Sequence, residues 1–156
     1  MIIMPLTETI REEMKKAMFA KNELRLNTLR GLIAAFTNEL VATRRKPTEE
    51  FPDDDALEVI RRGVKQRKDS IEQFGAGGRQ DLVKQEEAEM KILLEFLPAA
   101  MPEEEIRKLA ETKKAELGIT DKSKMGMLIG TVMKELKGRA DGAEVKKVVE
   151  NLFRDA

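Results

Sequence analysis

Apolar residues recur at intervals of three and four along almost the whole chain, and that period confines it to helices. Leu6, Ile10, Met14 and Met18 recur every fourth residue behind Pro5, which suits a helix start. A second helix is predicted from about Asn22 to Thr43, with Leu29, Leu32, Ile33, Phe36 and Leu40 in one stripe. Two prolines between Arg44 and Pro52 break the pattern. A third helix starts near Asp53, whose three successive aspartates suit the positive end of a helix dipole. Its seam is Leu57, Ile60, Val64, Ile71 and Phe74.

Gly75-Ala76-Gly77-Gly78 predicts a helix–helix connection rather than a phosphate-binding loop, because Arg79-Gln80-Asp81 follows where Gly-Lys-Ser/Thr would be needed. A fourth helix runs from about Arg79 to Leu97, with Leu82, Glu86, Met90, Leu93 and Leu97 on one side. Pro98-Ala99-Ala100-Met101-Pro102 is the best domain boundary, since proline stops one helix and fits the first turn of the next. Beyond it come a helix from Glu103 with Gly118 as its C-terminal cap, one from about Lys122 to Lys137, and one from about Gly142 to Phe153. No segment has a convincing strand period. The chain reads as all-α: a helical domain of about four helices over residues 1–98, then a small three-helix domain over residues 102–156.

Composition narrows the chemistry. Of 156 residues none is His, Cys, Trp or Tyr, and the serines are Ser70 and Ser123. That excludes Ser-His-Asp and Cys-His catalysis, thiolate nucleophiles, disulfides and ordinary zinc sites. No catalytic residue, metal site or cofactor is expected. The apolar run before Pro5 is too short for a secretory signal or a membrane span, which predicts a cytoplasmic protein with no membrane contact.

The formal net charge is zero, with 29 Lys+Arg against 29 Asp+Glu, but the charges are segregated. Residues 47–58 carry six acidic groups and none basic, and residues 59–69 carry five basic groups against Asp69. Arg61, Lys65 and Lys68 share a helix face, where Asp69 and Glu72 are the expected intrahelical partners. The phenylalanines fall in apolar stripes, so base stacking on single strands is not expected.

The most informative stretch is Met125 to Gly142. Leu128, Ile129, Val132 and Leu136 form a predicted buried face. Gly126 and Gly130 lie four apart on the same helix, each costing about 1 kcal/mol relative to alanine, and such glycines usually permit close approach of another backbone or a partner. At the corner Lys137-Gly138-Arg139-Ala140-Asp141-Gly142, Gly138 can take a left-handed cap and Asp141 can cap the next helix with Glu144 at its third position. That accounts for Gly138 and Asp141 but leaves Lys137 and Arg139 unexplained. They leave open a purely structural corner or a phosphate-contacting one beside a helix N-terminus, with Lys146 and Lys147 extending the basic surface.

The run Met125–Gly130, Met133, Gly138-Arg139-Ala140-Asp141-Gly142 and Val145 resembles the signature of the GatB/YqeY family. So do Lys65 to Phe74, Gly78 to Val83, Glu86 to Glu89 and Leu97-Pro98, and the resemblance covers about Leu6 to Phe153. Met127 departs from it, since the family often has lysine there. The resemblance implies a helical domain followed by a three-helix domain similar to the tail of the B subunit of the tRNA-dependent Asp/Glu amidotransferase, which helps hold the tRNA elbow. It implies binding of tRNA or other structured RNA through Lys137, Gly138, Arg139, Gly142, Lys146 and Lys147, with Gly126 and Gly130 as close-approach glycines. It also implies association with a carbon–nitrogen ligase using glutamine as amide donor, through an amidotransferase or synthetase partner. A self-contained activity of that kind is not expected, for want of a nucleophile with an oriented base. A protein–protein adaptor is a further alternative, and the oligomeric state is not predicted.

Overall fold

The computed structural model describes residues 4–136 and 139–154. Among them lie seven α-helices and no strand: α1 Leu6–Phe19, α2 Glu23–Ala42, α3 Asp53–Ala76, α4 Gln80–Leu94, α5 Glu103–Leu117, α6 Met125–Leu136 and α7 Gly142–Arg154. The protein is all-α. A single 3-10 turn, Lys122–Lys124, precedes α6. The chain divides into two compact units, Met1–Leu97 and Pro98–Ala156.

Four helices close with one device, in which the backbone reverses through a left-handed residue. After α1 the Asn22 N–H donates to the Ala17 carbonyl at 2.9 Å and the Lys21 N–H to Met18 at 3.2 Å. The same pair of bonds follows α2, α3 and α5. Gly78 (φ 73°) and Gly118 (φ 63°) supply the left-handed residue after α3 and α5. After α1 and α2 that place is held by Lys21 (φ 57°) and Arg44 (φ 61°), side chains for which the conformation costs about 1–2 kcal/mol.

The N-terminal unit buries Ile10, Leu29, Leu32, Phe36, Leu40, Ile60, Val64 and Leu93 in one cluster. In α1 the buried positions are Ile10 and Ala17, while Met18 is 46% exposed. The seam follows 3.6 residues per turn, and a strict four-residue step drifts off it by the fourth member. Helices α3 and α4 are antiparallel and close: a Cβ on Gly63 would lie 3.2 Å from Leu93 Cδ1. Arg67 lies across the same seam, its Nη1 donating to the Gly63 carbonyl at 3.1 Å and its Nε 3.3 Å from Glu89 Oε2. Helix α4 ends at Leu94, three residues short of the predicted end, and its deepest N-terminal residue is Val83 rather than Leu82. The start of α1 is closed from a distance: Pro5 has no side-chain donor or acceptor, and the Leu6 N–H donates to Asp53 Oδ1 at 2.9 Å.

The C-terminal unit packs Ile106, Ala110, Ile119, Leu128, Val132, Leu136, Ala140, Val145, Val148 and Val149 together. Ile129, expected in the buried face of α6, is only half-buried.

Ion pairs brace the N-terminal helices. Arg25 donates to Glu13 at 3.1 Å and to Glu95 at 2.8 Å, and Arg62 donates to Glu39 at 3.1 Å. The expected intrahelical pairing of Arg61, Lys65 and Lys68 with Asp69 and Glu72 is not found among the described residues. The α3 arginines that do pair, Arg62 and Arg67, reach acids on other helices.

Hydrogen bonds from Lys16 first and Arg25 second hold the Glu13 carboxyl below its ordinary 4.5, and Arg62 does the same for Glu39. Such groups favour the folded state fully above their unfolded value, and that contribution disappears as pH falls through the lowered folded value. Urea unfolding at stepped pH is therefore expected to show stability dropping below about pH 4.5. The drop should be shallower in Arg25→Gln, which removes one of the groups that lower Glu13. An unchanged slope would mean that the pair contributes nothing to acid sensitivity.

Candidate nucleic-acid interface

Helix α6 turns its apolar stripe, Leu128, Val132 and Leu136, into the C-terminal core. The opposite face therefore carries Gly126, Gly130, Met127 and Lys134, all exposed, with Met127 53% exposed. Apart from the backbone of their own helix and their chain neighbours, no heavy atom of the described residues lies within 4 Å of a Cβ built on Gly126 or Gly130. Among the described residues these two are not points of close approach: they present bare helix backbone to solvent. Lys134, four residues after Gly130, shares that face, and the i, i+4 spacing from Gly126 and Gly130 was its available signal in the sequence.

The corner after α6 is fastened through the main chain. The Met101 N–H donates to the Arg139 carbonyl at 2.8 Å, and the Arg139 N–H donates to Leu136 at 3.0 Å. Ala140 is buried in the core, so its neighbours on either side are forced outward. Arg139 is exposed; its Nε reaches the Ala99 carbonyl at 3.4 Å, a long contact that leaves most of the guanidinium donors available. Asp141 Oδ1 accepts from the Ala143 N–H at 3.4 Å, the capping role read from the sequence. Gly142 is half-buried, and a Cβ there would meet Met133 Cε at 3.8 Å, an ordinary contact. Glycine is therefore not sterically required at 142. Lys137 and Gly138 lie outside the described residues.

On α7, Val145, Val148 and Val149 face inward and Lys146 and Lys147 face solvent. Lys146 approaches Glu150 only to 3.9 Å, and Lys147 makes no ion pair among the described residues. The structure thus brings Arg139 and the outward start of α7 to one corner of the C-terminal unit. The glycine face belongs to the helix that leads into it. The Arg139 guanidinium and the Lys147 ammonium, which make no ion pair among the described residues, suit phosphate oxygens, while Lys146 is shared with Glu150. Among the described residues there is no cluster of three or more His, Cys, Asp or Glu able to hold a metal ion.

One exposed residue escaped the sequence reading. Phe19, assigned to an apolar stripe by its helical surroundings, is 80% exposed at the end of α1. It lies nine residues after Ile10, two and a half turns on, and so points away from the core.

Comparison with known proteins matches the chain to the family described as Yqey-like protein over residues 7–153, and the chain belongs to that family. It is similar to proteins named altered inheritance of mitochondria protein 41, mitochondrial. The Kluyveromyces lactis protein is 33% identical over 153 residues, which are 93% of this chain and 80% of that protein. The Lachancea thermotolerans protein is 39% identical over 88 residues, 56% of this chain and 46% of that protein. The Eremothecium gossypii protein is 35% identical over 101 residues, 65% of this chain and 53% of that protein. The alignments thus span about half of the length of two of these relatives.

Proposed function

We propose that this Yqey-like protein is a binding module for structured RNA, tRNA above all, acting through its C-terminal unit and without an active site of its own. The observation that carries this reading is the exposed Arg139, fixed by main-chain bonds to Leu136 and Met101, ahead of a helix, α7, that turns Lys146 and Lys147 outward. Structured RNA is recognised through shape, phosphate and 2′-hydroxyl contacts, which guanidinium, ammonium and backbone N–H groups supply. Gly126 and Gly130 let an RNA backbone approach the helix closely at two points of this face, beside the exposed Lys134. Likeness to the tail of an amidotransferase B subunit belongs to the same proposal, with an amidotransferase or synthetase as the partner that brings the chemistry. The compartment proposed is an aqueous interior, the cytoplasm or its mitochondrial counterpart, in keeping with relatives whose names carry the mitochondrion.

Mobility shifts with tRNA across a salt series test the reading. Binding is expected to be modest, since the chain is net neutral, and to weaken steeply with salt. Arg139→Ala should lower affinity and reduce the slope of log K against log salt by about 1. It leaves the main-chain bonds to Met101 and Leu136 in place, so helix content should not change. Salt-independent binding, or none at low salt, would overturn the proposal. A glutaminase assay of the purified chain separates it from the ligase alternative, for which clear turnover would be the decisive result.

A further inference from the structure

The corner between α1 and α2 carries the most exposed large apolar side chain described, and its surroundings are cationic. Phe19 is 80% exposed; Met18 (46%) precedes it and Leu24 (40%) lies in the first turn of α2. The other five phenylalanines are buried or half-buried, and the chain has no Trp or Tyr. Lys15 and Lys16 precede Phe19 by four and three residues, which puts them on the same side of the helix surface. Lys21 follows in the left-handed conformation, where glycine would be unstrained, and sets a third ammonium at the turn. Lys16 shares Glu13 with Arg25, whereas Lys15 and Lys21 make no ion pair among the described residues. Glu12 and Glu23 are the acids nearest in sequence outside that pair.

We propose that Phe19 is a stacking platform for an unpaired base of an RNA loop, with Lys15 and Lys21 on the flanking phosphates. An aromatic face gives a base a sequence-tolerant partner, and lysines beside it supply the charge that the neighbouring phosphates require. Lys15 and Lys21, which make no ion pair among the described residues, give this corner a charge complementary to the phosphates of such a loop. The proposal rests on the RNA reading above but concerns a different unit of the chain, so loops and single strands become ligands alongside paired stems.

The absence of Trp and Tyr makes the test direct, because Phe19→Trp introduces the sole indole of the full chain. Its emission is expected to be quenched by an RNA hairpin with an unpaired loop and little affected by a blunt-ended duplex of the same stem. Phe19→Ala should lose about tenfold in affinity for the hairpin, and Phe19→Leu, apolar but without a ring, should not restore it. Hairpin binding that depends on Arg139 and on salt but is indifferent to Phe19 would overturn this proposal and leave the first intact. Emission that shifts to the blue with rising protein concentration and ignores RNA would also overturn it, in favour of contact between copies. If neither hairpin nor tRNA binds the parent chain, both proposals fall together.

Discussion

Leu128→Ala is expected to lower the stability of the C-terminal unit by about 3 kcal/mol, the middle of the range for a leucine removed from a closed core. Leu128 is 0% exposed and shares its cluster with Ile106, Ala110, Val132, Val145 and Val149. Helix α6 has little else to hold it. Gly126 and Gly130 each weaken the helix by about 1 kcal/mol relative to alanine, and no neighbour within the described residues packs where their side chains would be. The helix therefore depends on burying one stripe, and Leu128 is the first fully buried residue of that stripe. Amide exchange on the full chain should show protection falling first in α6 and at Ala140, then across α5 and α7. Helices α1 to α4, whose core shares no residue with this one, should keep theirs. Loss of protection spread evenly over both units would contradict two separate cores. On the proposed RNA reading, affinity for tRNA should fall too, although no surface group is removed, because Arg139 is held in place by the turn that α6 leads into.

What could be read from the residues, and what could not, follows from the range of each interaction. The helices are set by local periodicity, and Gly118 ends α5 with φ 63° as its position predicted. Exposure at the ends of helices is set by the angle accumulated over several turns, so a four-residue step drifts off the buried seam by Met18. Phe19, grouped with the phenylalanines of apolar stripes, lies half a turn from Ile10 on the outer face. Charge pairing depends on which helix lies alongside. Asp69 and Glu72 were the acids within reach in sequence, yet Arg67 reaches Glu89 and Arg62 reaches Glu39 across helix boundaries. The capping of α1 by Asp53, 47 residues away, has no local signal at all. Within the candidate site, Arg139, Lys146 and Lys147 were singled out by type and motif. That Arg139 and Lys147 make no ion pair among the described residues while Lys146 approaches Glu150, and the emptiness around Gly126 and Gly130, are properties of the packed unit.

Gly63 and Leu93 should show the strongest coupling in the molecule. Leu93→Ala alone is expected to cost about 3 kcal/mol, since Leu93 is 1% exposed and fills the seam between α3 and α4. Gly63→Ala alone sets two effects against each other. Alanine is favoured over glycine in a helix interior by about 1 kcal/mol, but its Cβ would sit 3.2 Å from Leu93 Cδ1. Leu93 is enclosed and has little room to retreat, so overpacking, costing about 1–3 kcal/mol, outweighs the helical gain. In the Leu93→Ala background the obstructing methyl is gone, and the same Gly63→Ala change becomes stabilising. The remaining neighbour, Arg67 Nη1 at 3.6 Å, is the end of a flexible side chain and in ordinary contact. Urea unfolding of the four chains gives the coupling energy, expected to be about 1–2 kcal/mol and to reverse the sign of the alanine substitution. An equal effect of Gly63→Ala in both backgrounds would mean that the seam relaxes freely, and that the glycine is not what lets α3 and α4 lie so close.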